Sequence, residues 1–254
     1  TAALSFGGRN PVEGQTETYN GTAWTSVNNM NNARAQLMGS GTQTSTLASG
    51  GEPALTVTET WNGTNWTEVS DLNTGKYASG AAGVSNTSSL VFGGRTPPYT
   101  TTTESWDGSS WTEVNDMNTA RGYLGGCGTQ TAALAFAGRA PDGSAISPAV
   151  TELWNGSNWT EVNDMNTVRR TLAGAGVTTS ALAFGGTNGS KTGATEAWNG
   201  SSWTTVGTMN IARNLFGGGA GANNTSALAF GGPPATTATE EWTDPGIITK
   251  TLTT

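Results

Sequence analysis

Eight cations stand at repeating places in this chain, and their type and spacing invite chemistry. Arg34, Arg121, Arg169 and Arg213 close copies of the pattern M-N-x-x-R, and Lys76 stands in for the arginine once. Arg9, Arg95 and Arg139 follow an apolar run that closes on a glycine pair. Such cations can do two different things. They can donate to carbonyls of their own turns and pair with the repeated Thr-Glu carboxylates. Alternatively, they can ring a channel mouth as donors to an acidic glycan or an acidic partner segment. Internal pairing is the expectation for any single one of them, and the ring as a whole is a candidate binding surface.

Other chemistries are poorly served. Histidine is absent, which removes the commonest acid/base catalyst and the commonest metal ligand. Cys127 is alone in a run of glycines, so neither a disulfide nor a thiolate zinc site can be built, and it reads as a small buried filler. Most acids recur with the repeat, as scaffold residues would. Those outside it, Glu13, Glu52, Asp142 and Glu241, are scattered, whereas glycoside hydrolysis needs two unlike carboxyls in one cleft. Asp71, Asp116 and Asp164 sit in near-identical turns, where capping is a better reading than calcium binding. The expectation is no enzyme, no cofactor and no metal.

Composition narrows the partners. The chain has 254 residues, a net charge of −7 and only 11% charged residues, with ten tryptophans. Low charge with many aromatics argues for a packed fold rather than disorder, and an acidic chain is a poor match for nucleic acid. No apolar run approaches the length of a membrane span. No signal peptide is visible and the first residue is Thr1 rather than Met, which suggests an excised piece of something longer.

These residues are positioned by a repeat. "WNGSNWTEVNDMNTVRR" at 154–170 nearly copies "WDGSSWTEVNDMNTARG" at 106–122. A Thr-Glu dipeptide ends at Glu17, Glu59, Glu104, Glu152, Glu196 and Glu240, in steps of 42, 45, 48, 44 and 44 residues. An aromatic follows two residues later: Tyr19, Trp61, Trp106, Trp154, Trp198 and Trp242. A second tryptophan comes five further on in the first five copies, at Trp24, Trp66, Trp111, Trp159 and Trp203, with Ile247 in that place in the sixth. Each unit reads as four short strands, illustrated by a glycine-rich one at Leu172 to Val177 and an apolar one at Ala181 to Phe184. The third is Thr151 to Trp154 and the fourth Asn158 to Val162, joined by a tight turn at Gly156-Ser157 that sets Trp154 opposite Trp159.

Four-stranded units of this length, repeated, predict an all-β fold: one β-propeller domain over 1–254. The glycine-rich strand is expected innermost, where blades crowd, and the tryptophan pairs between blades as structural filler. Six blades of about four strands are the expectation, the first blade lacking its first strand, with five blades as the alternative. That missing strand either lies upstream of Thr1 or does not exist. Residues Ile247 to Leu252 are expected to supply the last blade's fourth strand.

The glycine pair after an apolar strand, the aromatic, the spaced tryptophan and "M..AR" together resemble the kelch repeat. The resemblance covers essentially the whole chain. The two aromatics are closer together than in the usual kelch motif, Ala137 breaks one glycine pair and Lys76 replaces one arginine. The wording "TE.WNGSSWTEVNDMNTAR" is in addition similar to repeat segments of marine bacteriophage virion proteins. That similarity implies a structural or host-contact component of a virus particle, with localisation on a virion or otherwise extracellular. Partners would then be other virion proteins or a host-surface glycan or protein. A secreted lectin-like kelch propeller is the alternative, and a glycoside hydrolase with an unrecognised site a weaker one. The loops between strands two and three vary most and hold eight of the nine prolines, so the face they form is the expected binding face.

Overall fold

Short apolar runs, β-branched threonines, aromatics and turn glycines leave each unit little choice but short antiparallel strands. The computed structural model bears this out and describes residues 2–9, 11–141, 149–215, 217–218, 223–233, 237–243 and 250–252. Among them are 23 strands and no helix, hence none long and apolar enough to cross a membrane.

The strands form antiparallel sheets in strict chain order. The first has three strands: β1 (Ala3–Gly8), β2 (Glu13–Tyr19) and β3 (Trp24–Val27). The second has β4 (Met38–Thr42), β5 (Ser45–Ser49), β6 (Thr58–Trp61) and β7 (Trp66–Val69). The third has β8 (Gly80–Ser85), β9 (Ser88–Phe92), β10 (Thr103–Trp106) and β11 (Trp111–Val114). The fourth has β12 (Gly125–Thr129), β13 (Ala132–Phe136), β14 (Thr151–Trp154) and β15 (Trp159–Val162). The fifth has β16 (Ala173–Val177), β17 (Ser180–Phe184), β18 (Thr195–Trp198) and β19 (Trp203–Thr205). The last has β20 (Gly217–Gly218), β21 (Ser226–Phe230), β22 (Thr239–Thr243) and β23 (Lys250–Leu252). Five blades are therefore complete four-stranded sheets, the alternative count, and a three-stranded first blade stands beside them. Of the expected last strand, 250–252 is seen as β23, while Ile247 lies outside the described residues.

Glycine-rich strands meet around the axis, as expected: β4, β8, β12 and β16 adjoin in succession. A Cβ at Gly126 would lie 2.8 Å from the Phe92 ring and 3.0 Å from the Ala81 carbonyl oxygen. At Gly174 it would lie 2.8 Å from the Gly126 carbonyl oxygen, so neighbouring blades come this close only without a side chain there.

The tryptophans hold the blades together. Trp154 and Trp159 face each other across β14 and β15 with ring centroids 5.4 Å apart. Gly156, at φ +94°, makes the turn between them, and Asn155 Oδ1 accepts from the Ser157 and Asn158 amides. Trp159 then reaches the preceding blade, packing edge-on against Phe92 at 4.9 Å and donating Nε1 to Thr103 Oγ1. The same bond joins Trp66 to Thr16, Trp111 to Thr58 and Trp203 to Thr151. Trp24 makes it to Thr239 and packs on Phe230 at 4.8 Å, so the first blade meets the last and the ring closes. A buried tryptophan removes about 150–250 Å² from water, an upper bound of roughly 4–6 kcal/mol each.

Candidate functional site

The Thr-Glu dipeptide is explained by strand alternation. Successive side chains point to opposite faces, so the threonine meets the next blade's tryptophan while the glutamate turns toward the linker that enters its own blade. Glu152 is fully buried. Its Oε2 accepts from Asn118 N and Nδ2 at 2.7 and 2.9 Å, and its Oε1 from Thr119 N at 3.3 Å and Arg121 Nη2 at 3.1 Å. Arg121 also donates to the carbonyls of Val150 and Ala135. Glu59 with Arg34, Glu104 with Lys76, Glu196 with Arg169 and Glu240 with Arg213 repeat the pair at 2.8–3.1 Å.

All five of these cations are completely buried. Their charged groups point into their own blades, not across the channel mouth, because each linker lays its cation on the carboxylate behind it. Desolvation pulls Arg121 down to about 10, opposed first by Glu152, so it stays charged at neutral pH. Desolvation likewise lowers Arg34, Lys76 and Arg169, in each case against the attraction of the paired glutamate. Internal pairing, one of the two expectations, is thus the arrangement present.

The turn aspartates cap strands. Asp71 Oδ1 accepts from Thr58 N, Asp116 Oδ1 from Thr103 N and Asp164 Oδ1 from Thr151 N. Among the described residues no group of three or more His, Cys, Asp or Glu is placed to hold a metal ion. Asp107 serves its tight turn as asparagine serves the sister turns, accepting from the Ser109 and Ser110 amides. Glu52 pairs with Arg9 at 3.2 Å, and Glu13 lends its backbone carbonyl to the Arg34 amide. Asp142 lies outside the described residues.

The remaining three cations, Arg9, Arg95 and Arg139, lie at the end of the blades where the linkers meet the loops between strands two and three. Arg9 is half exposed beside Glu52. Arg139 exchanges backbone hydrogen bonds with Gly122 of the linker, and its buried Nε has no partner among the described residues. Arg95 is the centre of a denser group. Its guanidinium carbon lies 5.8 Å from the Tyr77 ring centroid and 5.7 Å from that of Tyr99. Tyr123 stands edge-on to Tyr99 at 6.4 Å and, by hydrogen bonding, raises Arg95 above its ordinary value. Three of the chain's four tyrosines thus surround one arginine. Tyr99 and Tyr123 remain partly exposed, while Tyr77 is buried. Arginine stacks on aromatic faces and pairs bidentately with carboxylates, so a group of this kind offers both sorts of contact.

Sequence reasoning selected Arg95 but not its tyrosines. Tyr77 and Tyr123 come from two linkers and Tyr99 from a loop, so no local spacing links them. One usable signal was there: no tyrosine except Tyr19 falls within a strand.

No family model matches the sequence, and no curated protein matches it.

Proposed function

We propose that this propeller is a non-enzymatic structural or adhesion module on the outside of a virus particle. In this reading it is a virion surface or tail component that contacts its host through the loops between strands two and three. The observation that carries the proposal is Arg95 framed by Tyr77, Tyr99 and Tyr123 on that face. Burial and pairing of the repeated acids and cations support a scaffold role for the rest of the repeat. The motifs that resemble kelch repeats and the wording that resembles phage repeat segments support the virion setting, and the net charge of −7 argues against nucleic acid as partner.

A glycan array with the intact chain, Arg95→Ala and Tyr99→Ala tests the loop face. Selective binding of acidic glycans, lost in both variants, supports it. Binding that both variants retain, or no binding by a chain that also fails to associate with capsid or tail proteins, overturns it. The same tyrosine cluster favours one second reading, a secreted lectin-like kelch propeller. Glycan binding without any association to virion proteins would select that reading, and turnover of a glycoside substrate would revive a hydrolase.

A further inference from the structure

One repeat position changes its chemistry from blade to blade. The residue after each glycine pair, or after its variant Ala137-Gly138, is Arg9, Glu52, Arg95, Arg139, Thr187 and Pro233 in turn. Arg95 exchanges two backbone hydrogen bonds with Tyr77 of the linker, Arg139 with Gly122 and Thr187 with Arg170. The next residue of each linker, Ala78, Tyr123 or Thr171, takes a left-handed φ of 53°, 56° or 55°. These residues form an axial rim by passing bonds from blade to blade: Thr171 N to Tyr123 O, Tyr123 N to Ala78 O and Ala78 N to Gln36 O. Arg95 and Arg139 are therefore neighbours on this rim, joined through Tyr77, Ala78, Tyr123 and Gly122.

Charge sets these two arginines apart from the third at the same position. Arg9 is compensated, because Glu52 pairs with it at 3.2 Å and also accepts from Gln36 Nε2 at 2.9 Å. Neither Arg95 nor Arg139 forms a salt bridge among the described residues, where the buried Nε of Arg139 has no acceptor either. Exposed acids lie elsewhere: Glu68, Glu113 and Glu161 on the outermost strands, with Asp71, Asp116 and Asp164 just after them. An approaching anion is repelled by that acidic periphery and drawn to the two uncompensated cations.

Tyr99 spans the step between the two blades. Its ring centroid lies 5.7 Å from the Arg95 guanidinium carbon. The ring also rests on Gly122, where a Cβ would come 2.8 Å from Cδ1 and 2.9 Å from Cε1. The sister linkers carry Ala35, Tyr77, Arg170 and Asn214 at that place, so the glycine is what admits the ring. Backbone donors here are spent. The amides of Arg95, Thr96, Thr100, Gly122, Tyr123 and Arg139 are each bonded within the chain, and Pro97 and Pro98 have none. A peptide strand, which binds through backbone pairing, finds no ladder at this spot. A sugar needs only an aromatic face for its C–H surface and side-chain donors for its acid.

We propose, resting on the glycan-binding reading of this face, that Arg95 and Arg139 are a two-point anchor for an acidic polysaccharide with carboxylates on neighbouring sugars. One pyranose lies on Tyr99, and each guanidinium takes one carboxylate. The site thus reads a repeated acid rather than a single terminal one.

Isothermal titration calorimetry of the full chain with three probes tests the anchor. Trigalacturonate carries an acid on every sugar, 3′-sialyllactose is a trisaccharide with a single acid, and amidated triglutamate presents its acids on a peptide. One trigalacturonate should bind per chain, about 10-fold tighter than either other probe. Arg139→Ala should weaken trigalacturonate about 10-fold and sialyllactose by much less, which removes the preference. Arg95→Ala should weaken both sugars by about 10-fold or more. Circular dichroism verifies that each variant is folded, and the comparison of probes needs no variant. Equal affinity of the intact chain for the two sugars, or trigalacturonate binding indifferent to Arg139→Ala, overturns the two-point anchor while the loop-face reading stands. Triglutamate bound as tightly as trigalacturonate overturns the assignment to a sugar. Failure of both acidic sugars to bind overturns the anchor together with the reading it rests on.

Discussion

The glutamates of the Thr-Glu dipeptide offer a controlled comparison inside one molecule. Glu152→Ala removes a buried carboxylate that receives four donors. Arg121 keeps its contacts to the Val150 and Ala135 carbonyls but loses its salt-bridge partner while fully buried. Breaking a buried pair from one side costs about 3–5 kcal/mol, mostly because the surviving charge stays desolvated. Glu17→Ala alters the same repeat position, yet there the carboxylate is half-buried and unclamped. The expected cost is below about 1 kcal/mol, in the range of ordinary surface changes. In a chain of this size 1 kcal/mol moves Tm by roughly 2–4 °C, so the two variants, about 2–5 kcal/mol apart, should separate by about 4–20 °C. Thermal unfolding followed by tryptophan fluorescence and circular dichroism reads the difference, with urea titrations to verify that it is thermodynamic. Glu152→Gln, which keeps the shape and one acceptor, should fall between. Equal losses in Glu17→Ala and Glu152→Ala would refute the clamp as the reason for the conserved spacing of Thr-Glu and M-N-x-x-R within this chain.

Two further outcomes follow from buried and turn-bound groups. Burial raises the Cys127 thiol to about 12, so Ellman's reagent at pH 8 should leave it untouched in the native protein and react fully after unfolding in guanidinium. Because the unfolded thiol ionises near 9 and the folded one near 12, this residue should weaken the fold as pH rises past 9; native labelling at the rate of a free thiol would contradict the packing. Amide bonds from Ser110 and Ser109 hold the Asp107 carboxyl down at about 2. Its support for the turn should be complete above pH 4 and fade as pH falls toward 2, and Asp107→Asn should abolish that dependence while preserving the turn. An NMR titration midpoint near 4 for Asp107 would show that those bonds do not form.

Much of this architecture was legible because it rests on one unit of short strands and turn glycines copied many times. Thr151 to Trp154 matches β14 to the residue, and the other illustrated strands differ from β15, β16 and β17 by one position at an end. The facing tryptophans and the pairing of Arg121 with Glu152 were readable from spacing, since each copy supplies the same partners at the same distance in sequence. The axial rim was not readable. Gln36, Ala78, Tyr123, Thr171 and Leu215 adopt left-handed backbone without being glycine or asparagine, the residues that advertise it. Internal pairing was the expectation for each linker cation, but its complete burial was not readable, because Arg beside Glu also fits a pair at a solvent-lined rim. Only the linker's path, laying each cation on the carboxylate behind it, separates the two. The three-stranded first blade was expected from the repeat count; what the structure adds is that Leu4, Phe6 and Glu17 are less buried than their counterparts in the second to fifth blades.

Ring closure is the premise on which every interblade contact depends, and the seam between the first and last blades tests it most directly. In a two-dimensional NOE experiment with labelled indoles, the Trp24 Nε1 proton should show cross-peaks to Phe230 ring protons and to Thr239, from a ring separation of 4.8 Å and a hydrogen bond of 2.8 Å. Cross-peaks joining Trp66 to Thr16 and Trp111 to Thr58, with none from Trp24 to blade six, would describe an open arc instead of a closed propeller.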